Sequence, residues 1–110
     1  LMRPAQEISV GAVVRMTEAL AVEWAAYNIQ VNAIAPGFIR TDLNAVLWEN
    51  EAIRNWALAR TPAARIGEPR DLVGTAIFLA SAASDFMTGQ VLYVDGGLTA
   101  GSTWPLSVPR

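Results

Sequence analysis

The sequence predicts an α/β fold, half of a doubly wound parallel sheet, with elements in the order α-β-α-α-β. Three observations carry that prediction. Apolar residues recur at helical spacing over three stretches, near residues 10–26, 41–60 and 69–81. Two short apolar runs, residues 29–35 and 90–94, end at Pro36-Gly37 and Asp95-Gly96-Gly97. Roughly fifty residues with two helical stretches separate those runs, so they should lie parallel through a right-handed crossover.

Each element has a local reason. Pro4 argues against a helix through residues 1–8, and Ser9 is a candidate N-cap for a helix starting at Val10. Over residues 10–26, Val13, Met16, Leu20 and Trp24 form one stripe, with Ala12, Ala19 and Val22 beside it. So wide an apolar arc predicts a helix covered on more than one side. Tyr27-Asn28 ends it. Residues 29–35 mix alternating and continuous apolar character, as a strand buried on both faces does.

Residues 41–60 read as a second helical region with Leu43, Val46, Leu47, Ile53, Trp56 and Ala57 facing inward. Thr61-Pro62 stops it, because proline disfavours helical geometry in the residue before it. The next helix starts with a mechanism. Pro69 suits the first helical position, where its missing N–H is harmless, and Asp71 faces the positive end of the dipole. It runs to about Ser81, with Leu72, Val73, Ala76, Ile77 and Ala80 expected inside. Thr88-Gly89 turns into the second strand, and residues 101–110 read as an extended tail.

Composition narrows the function. Of 110 residues 53% are hydrophobic and only 16% charged, more apolar surface than a core of this size easily uses. This points to surface hidden against a partner or a missing half. Two isolated parallel strands, with both outer edges unpaired, point the same way. Eight Arg against ten acidic residues give a net charge of −2 without a basic patch, so nucleic acid is not an expected partner. No apolar run is long enough to span a membrane, and the first residues lack the apolar core of a secretory signal. Without Cys or His, a disulfide framework, zinc or thiol chemistry and a His base are all excluded, which suits the cytoplasm.

The segment Pro36-Gly37-Phe38-Ile39-Arg40-Thr41-Asp42-Leu43 is the most informative. A buried strand stops at a Pro-Gly turn and throws a Thr and an Asp into the loop beyond. In a parallel α/β sheet, ligands sit just past the carboxyl ends of strands. Elsewhere the bland reading prevails. Asp95-Gly96-Gly97 is a structural turn, Trp48 and Trp56 are packing residues, and Glu49 with Glu51 is a solvated face. Tyr27 and Tyr93 lack a basic residue at the spacing a proton donor needs.

From Gly11 to about Ala100 the chain resembles the C-terminal half of a classical short-chain dehydrogenase/reductase, a partial Rossmann fold. The resemblance rests on Gly11-Ala12-Val13-Val14, Thr17-Glu18-Ala19-Leu20-Ala21-Val22-Glu23, Val31-Asn32-Ala33-Ile34-Ala35-Pro36-Gly37, Arg65-Ile66-Gly67-Glu68-Pro69, Thr88-Gly89-Gln90 and Val94-Asp95-Gly96-Gly97. Within the family, Arg60-Thr61-Pro62-Ala63-Ala64-Arg65 and residues 91–100 look most like sugar-acid dehydrogenases that act on gluconate. The 3-oxoacyl-carrier-protein reductases share much of this pattern. The organisation implied is a divergent segment over residues 1–10, the family half-domain over 11–100 and the tail over 101–110.

The resemblance implies a cofactor, NAD or NADP, contacted by Pro36, Gly37, Ile39 and Thr41 at its nicotinamide end. It also implies a substrate lid from Asp42 to about Arg60. It implies a homo-oligomer through the helix over residues 10–26 and through the Leu72 helix with the Val91 strand. The departure lies at the chemistry. By the same match, Gln6 stands where the family has its catalytic Tyr and Val10 where it has its Lys, while Ser9 matches. The chain has no Lys at all and no glycine-rich nucleotide fingerprint. A Gln amide does not ionise and cannot deliver a proton to a carbonyl. No catalytic residue is therefore assigned. The expectation is a truncated oxidoreductase, inactive and weakly cofactor-binding alone, with a non-catalytic oligomerisation module as the alternative.

Overall fold

The computed structural model describes residues 4–102, with side chains from residue 11 onward. Its elements are α1 (Pro4–Trp24), β1 (Ala33–Pro36), α2 (Ala45–Glu49), α3 (Glu51–Arg60), α4 (Arg70–Ala80) and β2 (Val91–Val94). Single 3-10 turns follow α1 at Ala25–Tyr27 and α4 at Ala82–Ser84. The strands form a two-stranded parallel sheet. Its register is fixed by Gly89 N–H to Val31 C=O, Ala33 N–H to Gln90 C=O and Gly37 N–H to Val94 C=O, at 2.8, 2.9 and 3.1 Å.

The chain divides into two compact parts, one of residues up to 35 with 73–92, the other of residues 36–72 with those from 93 on. In the first part, α1 begins six residues earlier than expected and runs through Ser9 instead of being capped by it. The difference lies in Pro4. Proline breaks a helix interior, but in the first turn its N–H would be unpaired anyway and its φ is already helical. The side chains of Gln6, Ser9 and Val10, like residues 103–110, lie outside the described residues. The helix ends where expected: Asn28, in the left-handed region at φ 56°, donates its N–H to Ala25 C=O.

The face that α1 buries is not the large-residue stripe. Thr17 and Ala21 are buried, with Val14 and Leu20 half-buried, whereas Val13, Met16, Trp24 and Val22 are exposed, Val22 to 81%. Small residues win because the backbone comes close: a Cβ on Gly89, held at φ 75°, would stand 3.3 Å from the Ala21 Cβ. Thr17 satisfies its hydroxyl by donating to Val13 C=O, so its burial leaves no orphan. In α4 the less exposed positions are Leu72, Thr75 and Leu79, while the expected inward residues Val73, Ala76, Ile77 and Ala80 are exposed. Neither strand is buried on both faces: β1 is half-buried up to an exposed Pro36.

The first strand is also shorter than predicted. Side chains supplement the one backbone bond, Gly89 N–H to Val31 C=O, along its approach: Val31 N–H donates to Thr88 Oγ1, and Asn32 Nδ2 to Met87 C=O. Asn32 Oδ1 in turn accepts the Gln90 N–H.

In the second part the predicted single helix over residues 41–60 is two. Asn50, extended at ψ 113°, ends α2 and caps α3, its Oδ1 accepting the Ile53 N–H at 3.1 Å. Residues 41–44 form a turn, so Leu43 is 97% exposed, and Val46 and Leu47 are exposed with it. Trp48 supplies the burial instead, at 4% exposure, beside a fully buried Ala57. The Phe38 ring meets Trp48 and Trp56 edge-on, with centroids 5.8 and 5.5 Å apart, and Arg60 lies over Trp56 at 4.3 Å. Both tryptophans are packing residues. The buried Trp48 Nε1 has no hydrogen-bond partner among the described residues.

Candidate cofactor-contact loop

Pro36 ends β1 at a position whose N–H would face away from β2, and the last backbone bond to β2 comes one residue later, from Gly37 N–H to Val94 C=O. Gly37 crosses tightly against β2: a Cβ there would lie 2.8 Å from both Cα and Cβ of Asp95. Glycine is needed for that backbone approach. Two residues on, Ile39 and Gly67 form a parallel bridge, in which Gly67 N–H donates to Phe38 C=O and Arg40 N–H to Gly67 C=O, both at 2.8 Å.

Asn44 then latches the loop from the other side. Its Nδ2 donates to Ile39 C=O at 2.8 Å and its Oδ1 accepts the Thr41 N–H at 2.7 Å. The Thr41 hydroxyl has no hydrogen bond among the described residues, and the side chain is exposed. It lines an open cavity of about 600 Å³ with Arg40, Asp42, Glu68, Pro69 and Arg70. Ile39 faces elsewhere, into a cavity of about 130 Å³ walled by Thr61, Arg65, Gly67, Asp71 and Gly96. The structure thus places Gly37, Ile39 and Thr41 on one pinned loop but sends Ile39 and Thr41 to different cavities. Pro36 is exposed at its entrance.

The charges are organised around the loop. Arg65 grips Asp71 through two parallel bonds, Nη1 to Oδ2 and Nη2 to Oδ1, each 2.8 Å. Oδ2 also accepts the Glu68 N–H at 2.7 Å. These bonds hold the Asp71 carboxyl well below the usual carboxylate range and raise the Arg65 guanidinium. Asp95 is lowered too, chiefly by the Thr99 hydroxyl at 2.7 Å, with the Gly97 and Thr99 N–H groups adding to it. It therefore works as a turn-builder, as Asp95-Gly96-Gly97 suggested. Arg70 pairs with Glu68 at 2.8 Å.

Sequence reasoning missed Asn44, Phe38 and the Arg65–Asp71 pair. Asn44 bonds backward, to Ile39 C=O and Thr41 N–H, a direction that the usual Asx-turn signal does not cover. The described residues contain no cluster of three metal-ligating side chains, and none of their helices is long and apolar enough to cross a membrane.

Comparison with known proteins places this geometry. A family model described as enoyl-(acyl carrier protein) reductase matches residues 4–99. The 5-keto-D-gluconate 5-reductase of Escherichia coli K12 is 52% identical over 90 residues, 82% of this chain and 35% of that protein. The gluconate 5-dehydrogenase of Gluconobacter oxydans is 45% identical over 89 residues, with 81% and 35% covered. The crystal structure of a gluconate 5-dehydrogenase from Burkholderia cenocepacia J2315, in complex with NADP and tartrate, superposes with a TM-score of 0.78 at 52% identity. It covers 83% of this chain and 36% of that one. The chain spans about a third of the length of these relatives. With the matched residues running through both strands and all four helices, the chain belongs to the short-chain dehydrogenase/reductase family.

Proposed function

We propose that the loop from Pro36 to Thr41 is the nicotinamide-contact loop of an oxidoreductase that moves hydride between a hydroxyl and a keto group on a sugar acid such as gluconate. The observation that carries this is the loop itself. It lies past the carboxyl end of a parallel strand and is pinned on both sides, and Thr41, whose hydroxyl has no hydrogen bond among the described residues, lines an open cavity. Relatives named for gluconate chemistry at about 50% identity support the substrate class. A 3-oxoacyl-carrier-protein reductase lineage is the alternative, and a cytoplasmic setting fits both.

On this reading NAD or NADP would meet Thr41 and the Gly37 backbone, with Ile39 as packing beneath. The cofactor would supply or accept the hydride. By the family match Gln6 and Val10 fall where the family has its Tyr and Lys, so this reading assigns no proton donor for the other half of the reaction. The 110-residue chain alone should neither oxidise gluconate nor reduce oxo-sugar acids with either nucleotide, and turnover above blank would overturn that. Lacking a glycine-rich turn to hold the pyrophosphate, it should bind the dinucleotide no tighter than about millimolar. Low-micromolar calorimetric binding would be decisive against it.

A second reading, a non-catalytic oligomerisation module, is favoured by the exposed Val13, Met16 and Val22 on α1 and Val73 and Ile77 on α4. These belong to the helices that the family resemblance assigned to subunit contact. Sedimentation equilibrium should find a dimer or larger, and a folded monomer of 11.8 kDa at micromolar concentration would exclude it.

A further inference from the structure

The Arg65–Asp71 pair does more than decorate the start of α4. Three hydrogen bonds on one carboxylate, two from Arg65 and one from the Glu68 N–H, close residues 65–71 into a ring. Gly67 sits in that ring and pairs on its other edge with Phe38 and Arg40. The ring lies in contact with the loop. A Cβ on Gly67 would stand 2.6 Å from Ile39 Cδ1 and 3.5 Å from Asp71 Oδ2.

We propose that Arg65 and Asp71 are positioning residues for the loop from Pro36 to Thr41, holding Gly67 in register with Ile39 and so fixing where the Thr41 hydroxyl stands. An exposed ion pair usually contributes little. Here the guanidinium fork is bidentate, which fixes direction as well as distance, and a backbone amide shares the carboxylate. Asn44 is the loop's separate anchor, bonded to Ile39 C=O and Thr41 N–H. The two anchors protect different amides: Arg40 and Gly67 depend on the bridge, and Thr41 depends on Asn44.

That separation makes the proposal testable on the 110-residue chain by amide hydrogen exchange. Arg65→Ala should speed exchange at Arg40 and Gly67 by about tenfold or more, through local opening, while Gly37 and Ala33 keep their rates. Arg65→Lys, which keeps the charge but loses the fork, should fall between. Asp71→Asn, which can still accept the Glu68 N–H, should resemble Arg65→Ala and is the fallback should that variant fail to fold. Unchanged rates at Arg40 and Gly67, or a uniform rise that includes Gly37 and Ala33, would overturn the proposal.

Its consequence for cofactor rests on the reading of the loop given above, so NADP is titrated into the same variants. Released amides with unchanged nucleotide affinity would sink the cofactor reading and leave the positioning role standing. Unmoved amides would sink the positioning role whatever the affinity.

Discussion

The two parts of the chain bury different kinds of side chain. In the part built on α1, the tail of α4 and the strand entries, the buried side chains among the described residues are Thr17, Ala21 and Ser84, none larger than threonine. Many of its large apolar residues, among them Val13, Met16, Val22, Ile77 and Phe86, stand in solvent, while others such as Leu20, Ile34 and Leu79 are half-buried. The part built on the loop, α2 and α3 buries Trp48, Ala57 and Thr61 and ties Phe38 between two indoles. Apolar burial stabilises by about 25 cal/mol per Å², so the second part holds more of its own stability. The first part has a hydrophobic surface where a domain would have an interior. Composition marks the difference without explaining it: 34 of 55 residues in the first part are hydrophobic, against 24 of 55 in the second.

The strongest test of that contrast is Trp48→Ala. Emptying the one large buried side chain among the described residues should cost about 3–5 kcal/mol, close to the whole stability of a small domain. Urea titration followed by near-ultraviolet dichroism should show the tertiary transition of this part lost or shifted to very low denaturant. Trp48→Phe removes the unpaired Nε1 donor as well as volume and should cost clearly less. If both variants unfold like the parent chain, the ranking of the two parts is wrong.

Glycines probe the same difference at lower energy. Gly37→Ala drives a methyl into the Asp95 backbone and should destabilise by about 1–3 kcal/mol. Gly74→Ala meets nothing within 4 Å, lies in α4, and should stabilise by about 0.5–1 kcal/mol. Thermal melts in which the two move in the same direction would contradict the packing described.

Acid acts on the second part through its carboxylates. Those of Asp71 and Asp95 are lowered in the folded chain, so their stabilisation is fully present above the ordinary carboxylate range. It is lost as pH falls through their folded values. Stability should be flat from neutral pH to roughly 5 and decline below about 4. Asp71→Asn should flatten that decline, and an unchanged acid limb would show that the Arg65 pair is not what lowers Asp71.

The smallest effect belongs to the exposed face. Val22→Ser should change monomer stability by no more than about 0.5 kcal/mol. On the oligomer reading, the same variant should weaken self-association measured by sedimentation. A large loss of stability with no change in association would mean that α1 is packed within the chain after all.

What the sequence made legible was the order of elements and the turns that end them. Pro69 and Asp71 set up α4, and the Pro-Gly pair closes β1, because those effects act within a few residues. The face each helix buries was not legible. Thr17 and Ala21 are inside α1 because Gly89, far along the chain, brings its backbone near, and no periodicity in α1 records that. The break at Asn50 escaped because Glu49-Asn50-Glu51 carries no Gly or Pro, and its cap is visible only with the Ile53 amide in place. At the candidate site the loop was read as a loop. Its anchors were not, since Gly67 lies 28 residues beyond Ile39 and only the fold joins them.

The pairing of the strand entries has a kinetic consequence. Val31 meets Thr88 across 57 residues, so the ladder must first close a long loop, an entropic outlay made before any strand bond rewards it. The Asn50 cap and the Arg65–Asp71 ring span three and six residues and face no such delay. Refolding should order α3 and the 65–71 ring early and the sheet late. During that interval each strand is an open edge, and concentration during refolding decides whether it finds its own partner or another chain's.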